Sequence, residues 1–262
     1  MIKPAETQGH ESLEEIAMLA LEFGRLLMEA GASARDVEEI TAQVAVGLGV
    51  ERIDLRVGYA SLAISIGIAP DWITRMRKVG PLGVNQSLDH ALRAAAARIE
   101  RGGFTVAEGR AELDRLVHAS TRHPDWVVAV AVGVACAAFG RLLGVDWAGV
   151  GPIFGAAALG QMVRRQLALR NVNVFVSATV VAFLGSTLCG LGARWTGSHT
   201  VATDMAAAVL LLVPGVPSLN AQNDILEGRP TLGSARAVWV VVILIFIAAG
   251  AWLAQGLLGE GR

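Results

Sequence analysis

The stretch LLVPGVPSLNAQNDILEGRP, residues 211–230, decides how this chain is read. It begins at the end of an apolar run, Val201 to Val216, whose only charge is Asp204. In PGVP (214–217) two prolines remove two backbone donors and permit a tight bend. The sequence then turns polar: Ser218 is expected to cap a short new helix running to Glu227, with Gly228 as its stop and Pro230 beyond. In hydrocarbon a break of this kind leaves backbone groups that protein or cavity water must satisfy. Short or Pro/Gly-interrupted helices are therefore the best sequence pointer to a site in a membrane bundle.

Four further charge-poor stretches surround this one: Trp126 to Leu143, Trp147 to Leu169, Val174 to Trp195 and Ala235 to Leu258. Most have the roughly 20 residues that cross about 30 Å of hydrocarbon. The fourth of the five, at 201–216, is short. Buried helices of one large soluble core are the alternative, but a chain of 262 residues cannot enclose five such helices on all sides. Trp126, Trp147, Trp195, Trp239 and Trp252 fall near the ends of these stretches, where an amphipathic ring prefers the headgroup level. Arg164, Arg165 and Arg170 cluster where the second stretch gives way to the third, and Arg229 and Arg236 where the fourth gives way to the fifth. The other connections hold only Arg141 and Arg194. Positive-inside anchoring then predicts a cytoplasmic N-terminus and an outside C-terminus, with Arg262 at the outer tail.

Charge divides the chain. Residues 1–125 hold 32 of its 45 Asp, Glu, Lys and Arg residues, leaving 13 for the 137 that follow. No face or tail accumulates Lys and Arg, which excludes a basic nucleic-acid binder. Cys136 and Cys189 each sit inside an apolar run, which excludes a disulfide scaffold. The opening MIKPAETQGHES has no apolar core after Lys3 and does not read as a secretory signal, so residues 1–125 are expected in the cytoplasm.

Within that half, Ser12 and Glu15 read as a capping box opening a helix to about Ala30, with Gly31 as its stop. A second helix is predicted over 34–47. ERIDLRV (51–57), SLAISIGI (61–68) and WITRMRKV (72–79) are short, β-branched and partly alternating, and predict one small antiparallel sheet. Helical spacing returns at 86–101 and at 105–119, the latter opened by a Thr105/Glu108 capping box. The fold class is thus a membrane all-α bundle of five transmembrane helices (126–262) preceded by a cytoplasmic α+β domain (1–125).

No catalytic constellation, metal-ligand spacing or phosphate-cradling loop stands out, so no catalytic residue, metal or cofactor is expected. Arg75 and Arg77 share one strand face, and Arg52 and Arg56 another; each pair suits an anion or a solvated surface. In the membrane half, the N-terminus of a helix after PGVP would favour a carboxylate. Asn220, Asn223 and Asp224 stand three and four residues apart and can project from one side of it. With Pro214, Gly215, Pro217 and Ser218 they are the first substrate-binding candidates. A helix end followed by a wet cytoplasmic loop is the other reading of the same residues. Arg141 and Arg164 are the cations best placed to meet a dicarboxylate, although anchoring also explains Arg164. Asp146 and Asp204 are possible coupling acids. Both are expected close to a water interface, where an ordinary loop carboxylate costs little. Gly151, Gly155, Gly160, Gly185 and Cys189 permit close helix contact.

GVDWAGV (144–150), RRQLALRNVNVF (164–175) and LLVPGVPSLNAQNDILEGRPTLGSAR (211–236) resemble the membrane half of the threonine/serine exporter family. EAGASARDVE (29–38), GLGVERID (47–54) and GVN (83–85) resemble its N-terminal domain. The resemblance covers nearly the whole chain and lies in the order of the motifs. Long members carry a second bundle of about five helices, whereas this sequence ends after its fifth. It therefore resembles the split type, in which a second small multi-pass membrane subunit completes a hetero-oligomer. The split type is similar to a two-component dicarboxylate exporter that carries succinate. The resemblance thus implies efflux of a small carboxylate across a bacterial inner membrane, succinate-like or, in the other branch, threonine or serine. A midplane site between two structural repeats needs both halves. A membrane-anchored hydrolase and a non-transporting sensor are the rivals from other classes.

Overall fold

The structure, a computed structural model, describes residues 5–68, 71–119 and 123–259. The expectations that fall on the first four residues and on Arg262 lie outside them. The chain forms two compact units. Unit 1 comprises residues 1–121 and 216–237, and unit 2 comprises residues 122–215 and 238–262. The chain thus crosses between units three times, once within PGVP itself.

Unit 1 is built around helix α1 (Ala5–Ala30). Helix α2 (Ala34–Gly47) follows after Gly31, whose φ of +99° fits the expected stop. Ser33 caps α2, its hydroxyl accepting the Asp36 N–H at 3.1 Å. Strands β1 (Arg52–Val57), β2 (Ser61–Ile68) and β3 (Asp71–Lys78) form an antiparallel sheet in the order β1-β2-β3. Helices α3 (Gln86–Glu100) and α4 (Val106–Ala119) complete the layer. Leu62, Ile64 and Ile66 of β2 alternate inward and are fully buried with Phe23, Leu27 and Val37. α1 is apolar on more than one side because it packs against β2 and β3 as well as α2, α3 and α4.

One expected boundary moves. Helix α1 already runs from Ala5, so Ser12 lies inside it and caps nothing. No proline interrupts residues 5–11, and the capping pattern alone cannot stop a helix from extending backwards. The Thr105/Glu108 box forms: the Thr105 N–H donates to Glu108 Oε2 at 2.8 Å and the Glu108 N–H to Thr105 Oγ1 at 3.3 Å. Those Thr105 contacts hold the Glu108 carboxyl below its ordinary range. The Arg75/Arg77 face is occupied within the unit, Arg75 by Glu14 and Arg77 by Glu22.

Unit 2 contains α5 (Asp125–Leu142), α6 (Trp147–Leu169), α7 (Val174–Trp195) and α8 (Val201–Ala208) with a 3-10 turn at Leu210–Leu212. Helix α9 (Gly215–Leu226) begins in this unit and passes into unit 1, and α10 (Pro230–Leu258) returns the chain to unit 2 after Ala237.

The expected count of five spans is not reached by length and composition. Among the described residues α5, α7 and α10 are long and apolar enough to cross a membrane, and the broken pair Val201–Leu212 and Gly215–Leu226 makes a fourth if taken as one span. α6 has the length, but Pro152, Gln161, Arg164 and Arg165 lower its hydropathy. The expected interruption at PGVP is present with its boundaries moved a few residues earlier: α8 and its 3-10 turn end at Leu212, and a new helix starts at Gly215.

Small residues bring the helices of unit 2 together, though not always those whose spacing suggests it. Gly160 and Gly185 face Val181 and Val209, while Gly151 and Gly155 have open space beside them. A tighter approach lies at Gly250 of α10, where a Cβ would collide with the Thr179 carbonyl of α7 and lie 2.9 Å from the Ala182 Cβ. Thr179 Oγ1 donates to the Phe246 carbonyl at 3.1 Å, and the Phe175 and Phe246 rings stack with centroids 5.3 Å apart. Gly250→Val should therefore force α7 and α10 apart. The expected loss is about 1–3 kcal/mol of stability, read as a lower Tm in detergent, with Gly256→Val, which meets no neighbour, as the silent control.

Candidate functional site

The break at Val213 and Pro214 sets the local chemistry of unit 2. Past the 3-10 turn the carbonyls no longer find regular helical partners, and Arg164 of α6 donates from Nη1 to the Leu211 carbonyl at 3.3 Å. This is the only partner of Arg164 among the described residues, and it occupies one of the five N–H donors of the guanidinium. Beside it is a cavity of about 190 Å³ lined by Arg164, Val172, Ser177, Ala178, Leu212 and Ile243. The Ser177 residue is 8% exposed, and its hydroxyl has no partner among the described residues. Ser177 carries no signal in the sequence beyond standing one turn into α7, because a serine in an apolar helix usually bonds its own backbone. The other arginine suited by sequence to a dicarboxylate, Arg141, instead donates to the Val145 carbonyl and lies over the Trp147 ring at 4.4 Å.

A second polar cluster in unit 2 joins the two candidate coupling acids. Asp146 caps α6, accepting the Gly149 N–H at 2.9 Å, and its other oxygen accepts the His199 N–H at 2.7 Å. These contacts, the His199 one foremost, hold its carboxyl below the usual range. The Asp146 N–H donates to Thr200 Oγ1 at 3.2 Å, and Thr200 Oγ1 donates to Asp204 Oδ1 at 2.9 Å. Ser198 Oγ donates to Asp204 Oδ2 at 2.6 Å. Asp146 is partly exposed, whereas Asp204, one turn into α8, is fully buried within the protein. The helical period of α8 turns it inward, and Gly149 leaves the room: a Cβ there would stand 2.6 Å from Asp204 Oδ2. Asp204 has no cationic partner among the described residues, so two hydroxyls alone stabilise it.

The residues after PGVP lie in unit 1. Helix α9 starts at Gly215, three residues before the expected cap, so Pro217 and Ser218 fall in its first turn. Proline is tolerated there because the first amides have no helical partner. Gly228, with φ +79°, ends the turn toward α10 as expected. The three polar candidates have different surroundings. Asn220 donates through Nδ2 to the Gly31 carbonyl at 3.0 Å, Asn223 is exposed, and Asp224 is buried against Arg236, whose Nη1 donates to Asp224 Oδ2 at 2.6 Å. Arg236 is only 3% exposed, and Asp224 Oδ1 is unpartnered among the described residues. α9 and α10 approach so closely that a Cβ on Gly233 would meet the Ala221 carbonyl at 2.8 Å. Arg229 pairs with Glu38 of α2 at 2.5 Å, leaving Arg56 of β1 beside it at the rim of a groove. In sequence Arg236 reads only as a loop anchor, since periodicity cannot reveal a partner twelve residues back across a turn.

Removing one member of a buried pair leaves the other charge uncompensated. Asp224→Ala should therefore cost about 3–5 kcal/mol, seen as a lower midpoint of chemical unfolding, while the double change Asp224→Leu with Arg236→Met should recover most of the loss.

The comparisons with known proteins agree on one family. The profile described as "Putative threonine/serine exporter" matches residues 18–258. The chain is 27% identical over 239 residues to the "Probable succinate transporter subunit YjjP" of Escherichia coli K12, covering 91% of this chain and 92% of that protein. The protein of the same name from Klebsiella aerogenes is 26% identical, with 89% of each chain covered. An uncharacterized protein of Haemophilus influenzae is 22% identical, with 83% of this chain and 84% of its own covered. No solved structure matches the chain. The matches that carry a functional name are to transport proteins rather than to enzymes, and with a profile spanning nearly every element from α1 to α10, the chain belongs to the threonine/serine exporter family.

Proposed function

We propose that this protein is one subunit of an inner-membrane exporter of small carboxylates, with succinate the favoured cargo and a second small multi-pass membrane subunit completing the pathway. The observation that carries the reading is the interruption at Val213–Pro214, beside which Arg164 keeps four N–H donors for an anion. The names of the relatives from Escherichia coli and Klebsiella aerogenes support both the cargo and the need for a partner.

In this reading α5, α6, α7, the broken pair and α10 are the five spans, and residues 1–125 form a cytoplasmic domain that gates or senses the cargo. α6 crosses despite its lower hydropathy because its arginines sit at its cytoplasmic end. The C-terminus lies outside. The exchange of access works around the break, where no helical hydrogen-bond ladder has to be sheared as the two sides move. Pro214, Gly215 and Pro217 supply the hinge, while Ser218, Asn220, Asn223 and Asp224 lie on the helix whose position it controls. Asp204, buried with two hydroxyls and no cation among the described residues, is the acid suited to carry a coupling proton, with Asp146 and Thr200 leading from it toward the more exposed loop.

The test is efflux of labelled succinate and labelled threonine from preloaded vesicles holding this chain alone or with its second subunit. Succinate should leave only when both are present. Pro214→Ala and Asp204→Asn, each verified as folded and inserted, should slow it at least about tenfold, equivalent to about 1.4 kcal/mol on the barrier. Threonine efflux without succinate efflux would move the protein to the amino-acid branch, and flux of neither from a folded complex would overturn the exporter reading.

A further inference from the structure

Resting on the exporter reading, we infer that the cavity between Arg164 and Ser177 is where the cargo is held, and that it grips a single carboxylate group on an aliphatic acid. Three independent features converge there. Arg164 is a permanent cation with one protein hydrogen bond, to the Leu211 carbonyl, and no ion pair among the described residues. Ser177 is more than nine-tenths buried with an unpartnered hydroxyl, a group that costs free energy until something accepts its proton. Between them is about 190 Å³ of space, several times the volume of one water molecule and enough for a short carbon chain.

The walls define the ligand. Ala168, Val172, Val174, Ala178, Leu212 and Ile243 are all apolar, so the body of the ligand must be aliphatic. Arg164 is the one cation in the lining, so one carboxylate is neutralised and a second ionised carboxylate would meet only hydrocarbon. A carboxylate accepts two N–H bonds from guanidinium in the plane of the fork, and a hydroxyl donor on the other side satisfies a further lone pair. The site therefore takes succinate as its monoanion, or with its distal carboxylate projecting out of the cavity. It takes monocarboxylates of similar length as well, which means that discrimination for a dicarboxylate arises elsewhere.

The location also suits the direction of transport. The cavity lies where α6 ends and α7 begins, next to Arg165 and Arg170, the end that the positive-inside pattern assigns to the cytoplasm. Leu212, the last residue before the break, forms part of its wall, so movement at Val213–Pro214 reshapes the cavity directly. Ser177 is thus a substrate-binding residue, and the break is the element that closes on the cargo.

The test uses the full chain with Ser177→Cys, in detergent and in vesicles, reacted with a small methanethiosulfonate reagent. The unsubstituted chain, whose Cys136 and Cys189 are both buried, serves as background. Succinate and butyrate should each slow modification of the introduced thiol several-fold, butyramide should not, and Arg164→Gln should abolish the protection. In parallel, Ser177→Ala should weaken succinate binding by the full chain about 5- to 10-fold, while Ser177→Thr, which keeps the hydroxyl, should retain affinity within about twofold. Equal rates of modification with and without succinate, or unchanged affinity in Ser177→Ala, would overturn this site while leaving the exporter reading intact where the unsubstituted pair still transports. Protection by butyramide as strong as by butyrate would show an apolar crevice rather than a carboxylate site, and would overturn it equally.

Discussion

A helix interrupted inside an apolar run must find partners for the backbone groups it frees, and the architecture of unit 2 follows from how this is done at Val213–Pro214. The Leu211 carbonyl is met by the Arg164 guanidinium, beside a cavity whose other walls are largely apolar. One neutral acceptor occupies one of its five N–H donors and leaves the others for an anion. The interruption therefore sets a break in the helix and a cation with spare donors side by side.

The treatment of charge differs between α8 and α9. At Asp204 a buried carboxyl is held by the hydroxyls of Ser198 and Thr200, and the missing Cβ of Gly149 makes its space. At Asp224 a buried carboxylate is matched by Arg236, with Gly233 allowing the two helices to close over the pair. A carboxyl held by neutral donors depends on short local contacts, whereas one paired with a guanidinium ties two helices into a hairpin. The two residues are of one type in sequence and differ only in what surrounds them.

Unit 1 claims the helix that follows PGVP. Asn220 bonds the carbonyl of Gly31 at the α1–α2 turn, and Arg229 bonds Glu38 of α2. Gly31 itself has no room for a Cβ, which would stand 2.8 Å from the Gly83 carbonyl. The α1–α2 corner is thus shaped by backbone contacts and then tied to α9 by side chains. Residues 216–237 are thus held by side chains within unit 1, although they follow it by nearly a hundred residues in the chain.

Much is legible in the sequence because it depends on local chemistry. Period-2 alternation places the three strands, glycine at positive φ places the stops at Gly31 and Gly228, and the Thr105/Glu108 box places the start of α4. The prolines of PGVP mark the interruption, and the scarcity of charge marks the apolar stretches. The environment of each polar group is not legible, because it is set by residues far apart in the chain. Only the tertiary structure decided that Asp204 is buried and Asp146 is not, that Asn220 serves the Gly31 carbonyl, that Asp224 belongs to Arg236, and that Ser177 faces the space beside Arg164. A sequence specifies which groups can bond and how each segment prefers to fold. Which group a side chain meets is fixed by packing, where burial makes every unpaired polar atom costly and so selects one arrangement.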